Sequence, residues 1–237
     1  MEIVLNLIGI VSATRYRERD FWESSALGRS LPRFREHRDI IVDISYENDR
    51  GLPEVYNRAI DRFIANDAVE ILLFVHDDVW LEDIFWREHL RQTCRQYDIC
   101  GLAGNRRRTV RQPAWCFVWG PALGQLVLDD RAYLSGAIAH GDGPLGEITR
   151  LGPPGQSCEL IDGVFIAVKQ SALKMSGVRF DEQFQFHFYD MDFCRSARLN
   201  GLSIGTSPIS VTHRSAGAFA SPEWWTSYAQ YVKKWEC

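Results

Sequence analysis

Several absences narrow the class of this chain before any motif is read. No apolar run approaches the roughly 20 residues that a membrane-spanning helix requires. Six cysteines (Cys94, Cys100, Cys116, Cys158, Cys194 and Cys237) are scattered without CxxC or zinc-ribbon spacing. With no secretory signal pattern at the start, the expectation is reduced thiols in the cytoplasm. Positive charge is not in excess: 27 Lys and Arg stand against 31 Asp and Glu, for a net charge of −4. That balance argues against nucleic acid as a general partner. No Gly-rich phosphate loop lies near the N-terminus, which counts against a sugar nucleotidyltransferase. Internal repeats, low-complexity tracts and a clear interdomain linker are also missing. What remains is an ordinary globular composition, 46% hydrophobic and 24% charged over 237 residues, able to bury a substantial core. Eight tryptophans are many; sugar sites use aromatic faces, although core packing accounts for most tryptophans.

The chain is organised around Glu70-Ile71-Leu72-Leu73-Phe74-Val75-His76-Asp77-Asp78-Val79-Trp80. The unbroken run Ile71 to Val75 predicts a strand covered on both faces, as in a parallel or mixed sheet between helices. Two adjacent carboxylates at its end serve no packing purpose, since unpaired charges resist burial. The carboxyl end of such a strand is where open α/β sheets bind ligands, so a divalent metal and a nucleotide are expected there.

Around this stretch the pattern alternates strand and helix. Strands are expected over 1–11 and 39–44, a short helix near 21–27, and an amphipathic helix from Pro53 through 66. The first eighty residues therefore predict a sheet built from parallel crossover units. A helix over 83–97, one short strand over 99–103 and a basic loop over 105–111 follow. That loop is either a solvated turn or an arginine clamp for phosphate. Residues 120–155 are rich in Gly and Pro, with a strand near 124–128, and read as a long loop or a hairpin insertion. Next come a strand over 160–168 with an Asp-Gly break, a short helix over 171–176, and a helix opening at Asp192 and closed by Gly201. Short strands over 202–206 and 209–212 lead to His213. The tail is an amphipathic helix with Ser221 as N-cap and Pro222 at its first position. Its aromatic face packs on the domain or, in the alternative reading, meets a membrane surface beside Lys233 and Lys234.

Acidic or imidazole groups stand at the ends of three elements: His76-Asp77-Asp78, Asp190-Met191-Asp192 and His213. Magnesium and manganese favour oxygen ligands, and an imidazole suits manganese. Each group also has a structural reading. His76 could cap a strand, Asp190 could cap a helix, and Asp192 could pair with Arg195 or Arg198 one turn on.

In this order the segments Tyr56-Asn57-Arg58-Ala59, Phe74-Val75-His76-Asp77-Asp78-Val79, Asp162-Gly163-Val164-Phe165, Phe188-Tyr189-Asp190-Met191-Asp192-Phe193-Cys194-Arg195 with Gly201, and Val211-Thr212-His213 resemble a family 2 glycosyltransferase. The similarity is to a branch of small bacterial members carrying a His-Asp-Asp-Val segment, and it covers most of the chain. It implies an α/β GT-A-like fold, a mixed and mostly parallel sheet flanked by helices. It also implies one domain over 1–237, with a nucleotide-binding half (1–103), an acceptor and catalytic half (104–220) and a C-terminal amphipathic helix (221–237). By resemblance Asp78 binds the metal on the donor diphosphate and His213 completes the metal site. His76 takes the place of the motif's first Asp, with a weaker contact to ribose or metal, and Asp77 the variable position. Asp190 aligns with the catalytic base, with Tyr189 replacing the usual Glu before it. Asp162 and Gly163 line the acceptor and donor-sugar pocket, while Asp43 or Asn48 roughly fills the base- and ribose-binding position and Asn57 is counted with them.

The implied activity is metal-dependent, inverting transfer of a sugar from a nucleotide-diphosphate donor to a hydroxyl, in bacterial surface-glycan assembly. Mn2+ or Mg2+ and a nucleotide sugar, a UDP-sugar first among them, are the expected cofactors. The acceptor is a glycan or lipid-linked glycan, and the location is cytoplasmic, with peripheral contact at the inner membrane through the C-terminal helix. Two alternatives stay open: a non-catalytic homologue that binds sugar nucleotide or glycan, and a metal phosphohydrolase suggested by His76-Asp77.

Overall fold

The computed structural model describes residues 6–215, 217 and 219–235. The chain opens with β1 (Leu7–Ala13), α1 (Glu18–Ser24), α2 (Ala26–Ser30), β2 (Ile40–Ser45), α3 (Leu52–Ile64), β3 (Val69–Val75) and β4 (Val79–Leu81). It continues through α4 (Trp86–Cys94), β5 (Ile99–Gly101), β6 (Ala103–Asn105), β7 (Phe117–Trp119), β8 (Leu126–Leu128), β9 (Leu134–His140) and β10 (Glu147–Gly152). Last come β11 (Leu160–Ile161), β12 (Phe165–Lys169), α5 (Gln170–Ser176), α6 (Tyr189–Leu199), β13 (Ile204–Thr206), β14 (Val211–His213) and α7 (Pro222–Trp235).

The main sheet runs β13-β5-β12-β3-β1-β2. β1 pairs with β2 and β3 in parallel, as β13 does with β5, whereas β12 runs antiparallel to both its neighbours. The sheet is mixed and mostly parallel, as the crossover pattern predicts. Its central strand β3 is covered on both faces, and the side chains divide by the two-residue period of a strand. Leu72 and Phe74 join a core with Tyr56 and Ile60 of α3, Leu173 of α5, Phe193 of α6 and Tyr231 of α7. Ile71, Leu73 and Val75 join the opposite core with Phe21, Leu27, Trp86 and Leu90. Glu70 is skipped in the ladder with β1, where the register shifts, and stays exposed.

A second sheet, β11-β6-β9-β14-β4 with β10 on the edge of β9, was not expected from the sequence. The 120–155 stretch is therefore the hairpin alternative: β9 and β10 pair antiparallel, and β7 and β8 form a separate ribbon. Three of its glycines, Gly136, Gly146 and Gly152, resemble loop punctuation but serve close packing. A Cβ at Gly136 (φ +88°) would sit 1.9 Å from the carbonyl oxygen of Leu102, so only glycine lets β9 lie against the neighbouring chain.

Two predicted strands divide between the sheets. The 99–103 stretch breaks at Leu102 into β5 and β6, and the 160–168 stretch breaks at Asp162 into β11 and β12. An apolar run shows that a segment is buried, but not which sheet its hydrogen bonds join.

The tail helix packs on the domain. Ser221 Oγ accepts from the Trp224 amide at 3.2 Å, and Trp224 and Tyr231 are buried. Lys234 bonds Asp181 and Asp192, each at 2.7 Å, and the Trp235 indole donates to Asp192 at 2.7 Å. Asp192 is thus tied to α7 rather than to Arg195 or Arg198; Arg198 bonds Glu159 instead. Among the described residues, no helix is long and apolar enough to cross a membrane. Cys94, Cys100, Cys116, Cys158 and Cys194 are buried free thiols, and Cys237 lies outside the described residues.

Candidate active site

Two of the places where the chain leaves one sheet for the other carry predicted acids. Between β3 and β4 lie His76, Asp77 and Asp78; between β11 and β12 lie Asp162 and Gly163. Because β12 runs antiparallel to β3, with Phe165 opposite Val75, these crossovers are neighbours, joined by a bond from the His76 amide to the Val164 carbonyl at 3.1 Å. His213 arrives by register: it faces Val79 across the β14–β4 pairing, one residue beyond Asp78. The Arg214 amide then closes on the Asp78 carbonyl at 3.0 Å. Residues 135 positions apart in sequence thus meet because two short strands pair.

Asp78 Oδ1 lies 3.3 Å from His213 Nε2 and 4.0 Å from His76 Nδ1. It is buried yet has no hydrogen bond of acceptable geometry. An orphaned carboxylate oxygen is costly, and two ring nitrogens facing it make the trio a fitting cradle for a divalent cation. Burial pushes the Asp78 carboxyl up, but the close approach of the His213 ring and the charge of the two nearby imidazoles outweigh it and hold its pKa below the usual value. For His213 burial lowers the pKa and Asp78 more than reverses it, for a net rise. His76 moves the other way: burial dominates and favours the neutral ring.

Asp190 lies in the first turn of α6, which begins three residues earlier than the sequence suggests, at Tyr189. The residue before it, Phe188, holds a left-handed backbone (φ +66°), an uncommon conformation for a bulky residue and one that recurs at functional sites. Its ring is fixed against Trp224 and Tyr231. Asp190 Oδ2 accepts from the Gly163 amide at 3.1 Å and Oδ1 from the Met191 amide at 2.8 Å. Burial, followed by the negative charge of Asp162, nevertheless raises its pKa to about 7. Gly163 is required sterically, since a Cβ there would lie 2.5 Å from Tyr189 Oη and 3.0 Å from Asp190 Cβ.

These groups meet at a cavity of about 340 Å³, with His76, Asp78, Asp162, Gly163, Asp190 and His213 in its lining. The rest of the lining is largely apolar and aromatic, with Trp115, Phe117, Phe219, Trp224 and Phe186, whose ring stacks on His76. His140, opposite His213 in the β9–β14 pairing, also lines it. Nothing in the sequence singled out Trp115, Phe117 or His140: His140 comes from β9 of the unpredicted second sheet, Phe117 from the β7–β8 ribbon and Trp115 from the loop before it.

Other predicted residues lie elsewhere. Asp77 turns toward β1, accepting from Thr14 Oγ1 at 2.5 Å, and burial raises its pKa. It therefore shares no site with His76, and the His-Asp pairing that suggested a phosphohydrolase does not form. The Asn48 amide donates to the Thr14 carbonyl at 2.8 Å, so Thr14, Asn48 and Asp77 gather at the carboxyl ends of β1, β2 and β3. Asp43 is paired with Arg62. The Asn57 side chain is engaged with the Phe180 backbone and Glu182. None of Asp43, Asn48, Asn57 and Asp77 lines the cavity. In the basic loop Arg107 is held by Asp129 and stacks on Tyr133 at 3.8 Å, a structural role.

A mostly parallel sheet with one reversed strand, flanked by helices and carrying acids at a carboxyl-end crossover, defines a GT-A-like α/β protein. No protein-family model matches the chain, and no curated protein matches its sequence. Solved structures with a related chain path include A197 from STIV, 12% identical over 88% of this chain and 82% of that one, at a TM-score of 0.43. Another is S. aureus TarS 1-349 in complex with UDP, 12% identical over 95% of this chain, with a TM-score of 0.48. A third is the catalytic domain of Drosophila beta1,4galactosyltransferase 7 in complex with xylobiose, 11% identical over 92% of this chain and 77% of that one, at 0.46. The chain spans 64% of that TarS fragment and 39% of a longer TarS structure. Likeness at this level concerns chain path alone; the site's chemistry rests on its own geometry.

Proposed function

We propose that this chain is a metal-dependent, inverting glycosyltransferase of the family 2 type, acting on a nucleotide-diphosphate sugar and a hydroxyl acceptor in bacterial surface-glycan assembly. The observation that carries this reading is the buried, orphaned Asp78 Oδ1 faced by His76 and His213, with Asp190 lining the same cavity. A divalent ion held by Asp78 and the histidines would supply the positive charge that a departing diphosphate needs. In this reading Thr14, Asn48 and Asp77, at the strand ends of the proposed nucleotide-binding half (1–103), would meet the nucleoside of a UDP-sugar or related donor. Asp190, with a pKa of about 7, is ionised in a substantial fraction of molecules at neutral pH. It can take the proton of an attacking hydroxyl as a general base, a role typically worth about 100- to 10,000-fold in rate. A single base on the acceptor side implies inversion at the anomeric carbon. The aromatic wall suits the apolar face of a sugar ring or a lipid-linked glycan, and it limits the water that could intercept the donor. We place the reaction in the cytoplasm.

The test is calorimetric titration of the protein with UDP, GDP, CDP and dTDP, with and without Mn2+, alongside Asp78→Ala. Metal-dependent binding of one nucleotide, lost in the variant, is the expected result. Absence of binding under every condition would remove the donor-site assignment.

A further inference from the structure

Tyr189 Oη donates to the Gly163 carbonyl at 2.8 Å and also lies 2.9 Å from His76 Nε2. A phenol has one proton. With that proton on Gly163 O, the hydroxyl can only accept from His76, so Nε2 must carry the imidazole hydrogen. The other ring nitrogen, Nδ1, is then a bare lone pair, and it is the atom that faces Asp78 Oδ1 at 4.0 Å. The opposite tautomer would leave the buried Gly163 carbonyl without its donor, and an unmade bond in the interior is costly. A glycine at 163 is what lets the hydroxyl reach this position.

We infer that Tyr189 is a positioning residue that locks His76 in the Nε2-protonated tautomer, making Nδ1 a third protein ligand, and that the resulting two-imidazole, one-carboxylate set selects manganese, cobalt or zinc over magnesium and calcium. This inference rests on the metal-dependent reading of the cavity. Its chemistry is that of ligand softness. Magnesium and calcium demand oxygen donors, while imidazole binds first-row transition ions in the order of their intrinsic affinity. Compared with a third carboxylate, a neutral His76 imidazole brings one negative charge fewer and a nitrogen in place of an oxygen, both of which disfavour magnesium. A partner on the non-ligating nitrogen is how histidine ligands are oriented, and losing it typically costs about 10- to 100-fold in metal affinity.

The experiment uses the whole metal-free protein without nucleotide. Long-range 1H–15N correlation spectra at pH 7.5 report the His76 tautomer. Titrations with Co2+, followed by its visible ligand-field bands, and with Mn2+ and Mg2+ by calorimetry report selectivity. The expected outcome is a proton on Nε2 and Co2+ and Mn2+ bound at least about 100-fold more tightly than Mg2+. Tyr189→Phe should weaken Co2+ binding about 10- to 100-fold and yield a mixture of His76 tautomers. His76→Asp should shift the preference toward Mg2+. A proton on Nδ1 in the wild-type protein, or Mg2+ binding equal to that of Co2+, overturns the inference without reliance on any variant. Unchanged Co2+ affinity in folded Tyr189→Phe overturns the role given to the tyrosine. Because nucleotide is absent, failure of donor binding would leave these results standing and count only against the transferase reading.

Discussion

Replacing Asp190 with Asn tests the base assignment through stability as well as turnover. In the folded protein the carboxyl has a pKa of about 7, against a reference of 3.8. The folded state therefore keeps its proton to higher pH than the unfolded state does. The group's favourable contribution is complete below about pH 4 and is lost as pH rises through 7. The shift of roughly 3 units, at about 1.4 kcal/mol each, sets an upper limit of about 4 kcal/mol. Asp190 is partly accessible through the cavity, and solvent screening there reduces the expected loss to about 2 kcal/mol between pH 5 and pH 8. Asn has no carboxyl to ionise, and it costs a roughly pH-independent amount because its amide cannot accept both the Gly163 and Met191 N–H groups. The measurement is tryptophan-detected thermal unfolding of both metal-free proteins at pH 5, 6, 7 and 8. The difference in Tm should move in favour of Asp190→Asn by about 4–8 °C across the series. A difference that stays constant with pH would mean that Asp190 is an ordinary carboxylate, and the base assignment would lose its physical support. With the same variant, sugar transfer should fall by about 100-fold or more, and in the wild type it should rise with pH through about 7.

Gly163→Ala should cost about 1–3 kcal/mol and displace Tyr189, because the new Cβ falls 2.5 Å from its hydroxyl; urea unfolding measures the first effect and the loss of Co2+ affinity the second. Wild-type stability with intact metal binding would show that the packing relaxes around the methyl. Asp192→Ala strips Lys234 of one of its two carboxylates and leaves the Trp235 indole N–H unpaired, so about 3 kcal/mol of stability should be lost. A loss below about 1 kcal/mol in urea titration would mean that α7 is held by its aromatic face alone. Glu159→Ala, by contrast, breaks only the half-exposed pair with Arg198 and should change stability by less than about 1 kcal/mol.

The sequence alone determined what depends on short-range pattern. The unbroken apolar run before His76 specified a strand buried on both faces, because a two-residue period with no polar member leaves no face for water. The spacing of Val55, Tyr56, Ala59, Ile60 and Phe63 specified α3, and Ser221-Pro222 specified the start of α7, since each is a local geometric requirement. The placing of His76, Asp77, Asp78, Asp190 and His213 at element ends was also legible, because charged groups beside apolar runs need a partner or a ligand. Tertiary structure decided the rest. Which sheet each half of 99–103 and 160–168 joins depends on hydrogen bonds to distant strands, so the second sheet, and with it His140, was invisible, as was the β7–β8 pairing that brings Trp115 and Phe117 to the cavity. That Asp77 faces Thr14 while Asp78 faces two histidines follows from alternation across a crossover between sheets. Asp43 and Asn57 have side chains suited to a binding role, yet their neighbours Arg62, Phe180 and Glu182 engage them instead. The meaning of Tyr189, a mere departure when read in sequence, comes from a hydroxyl shared between Gly163 and His76, which requires three chain segments to meet within hydrogen-bond distance.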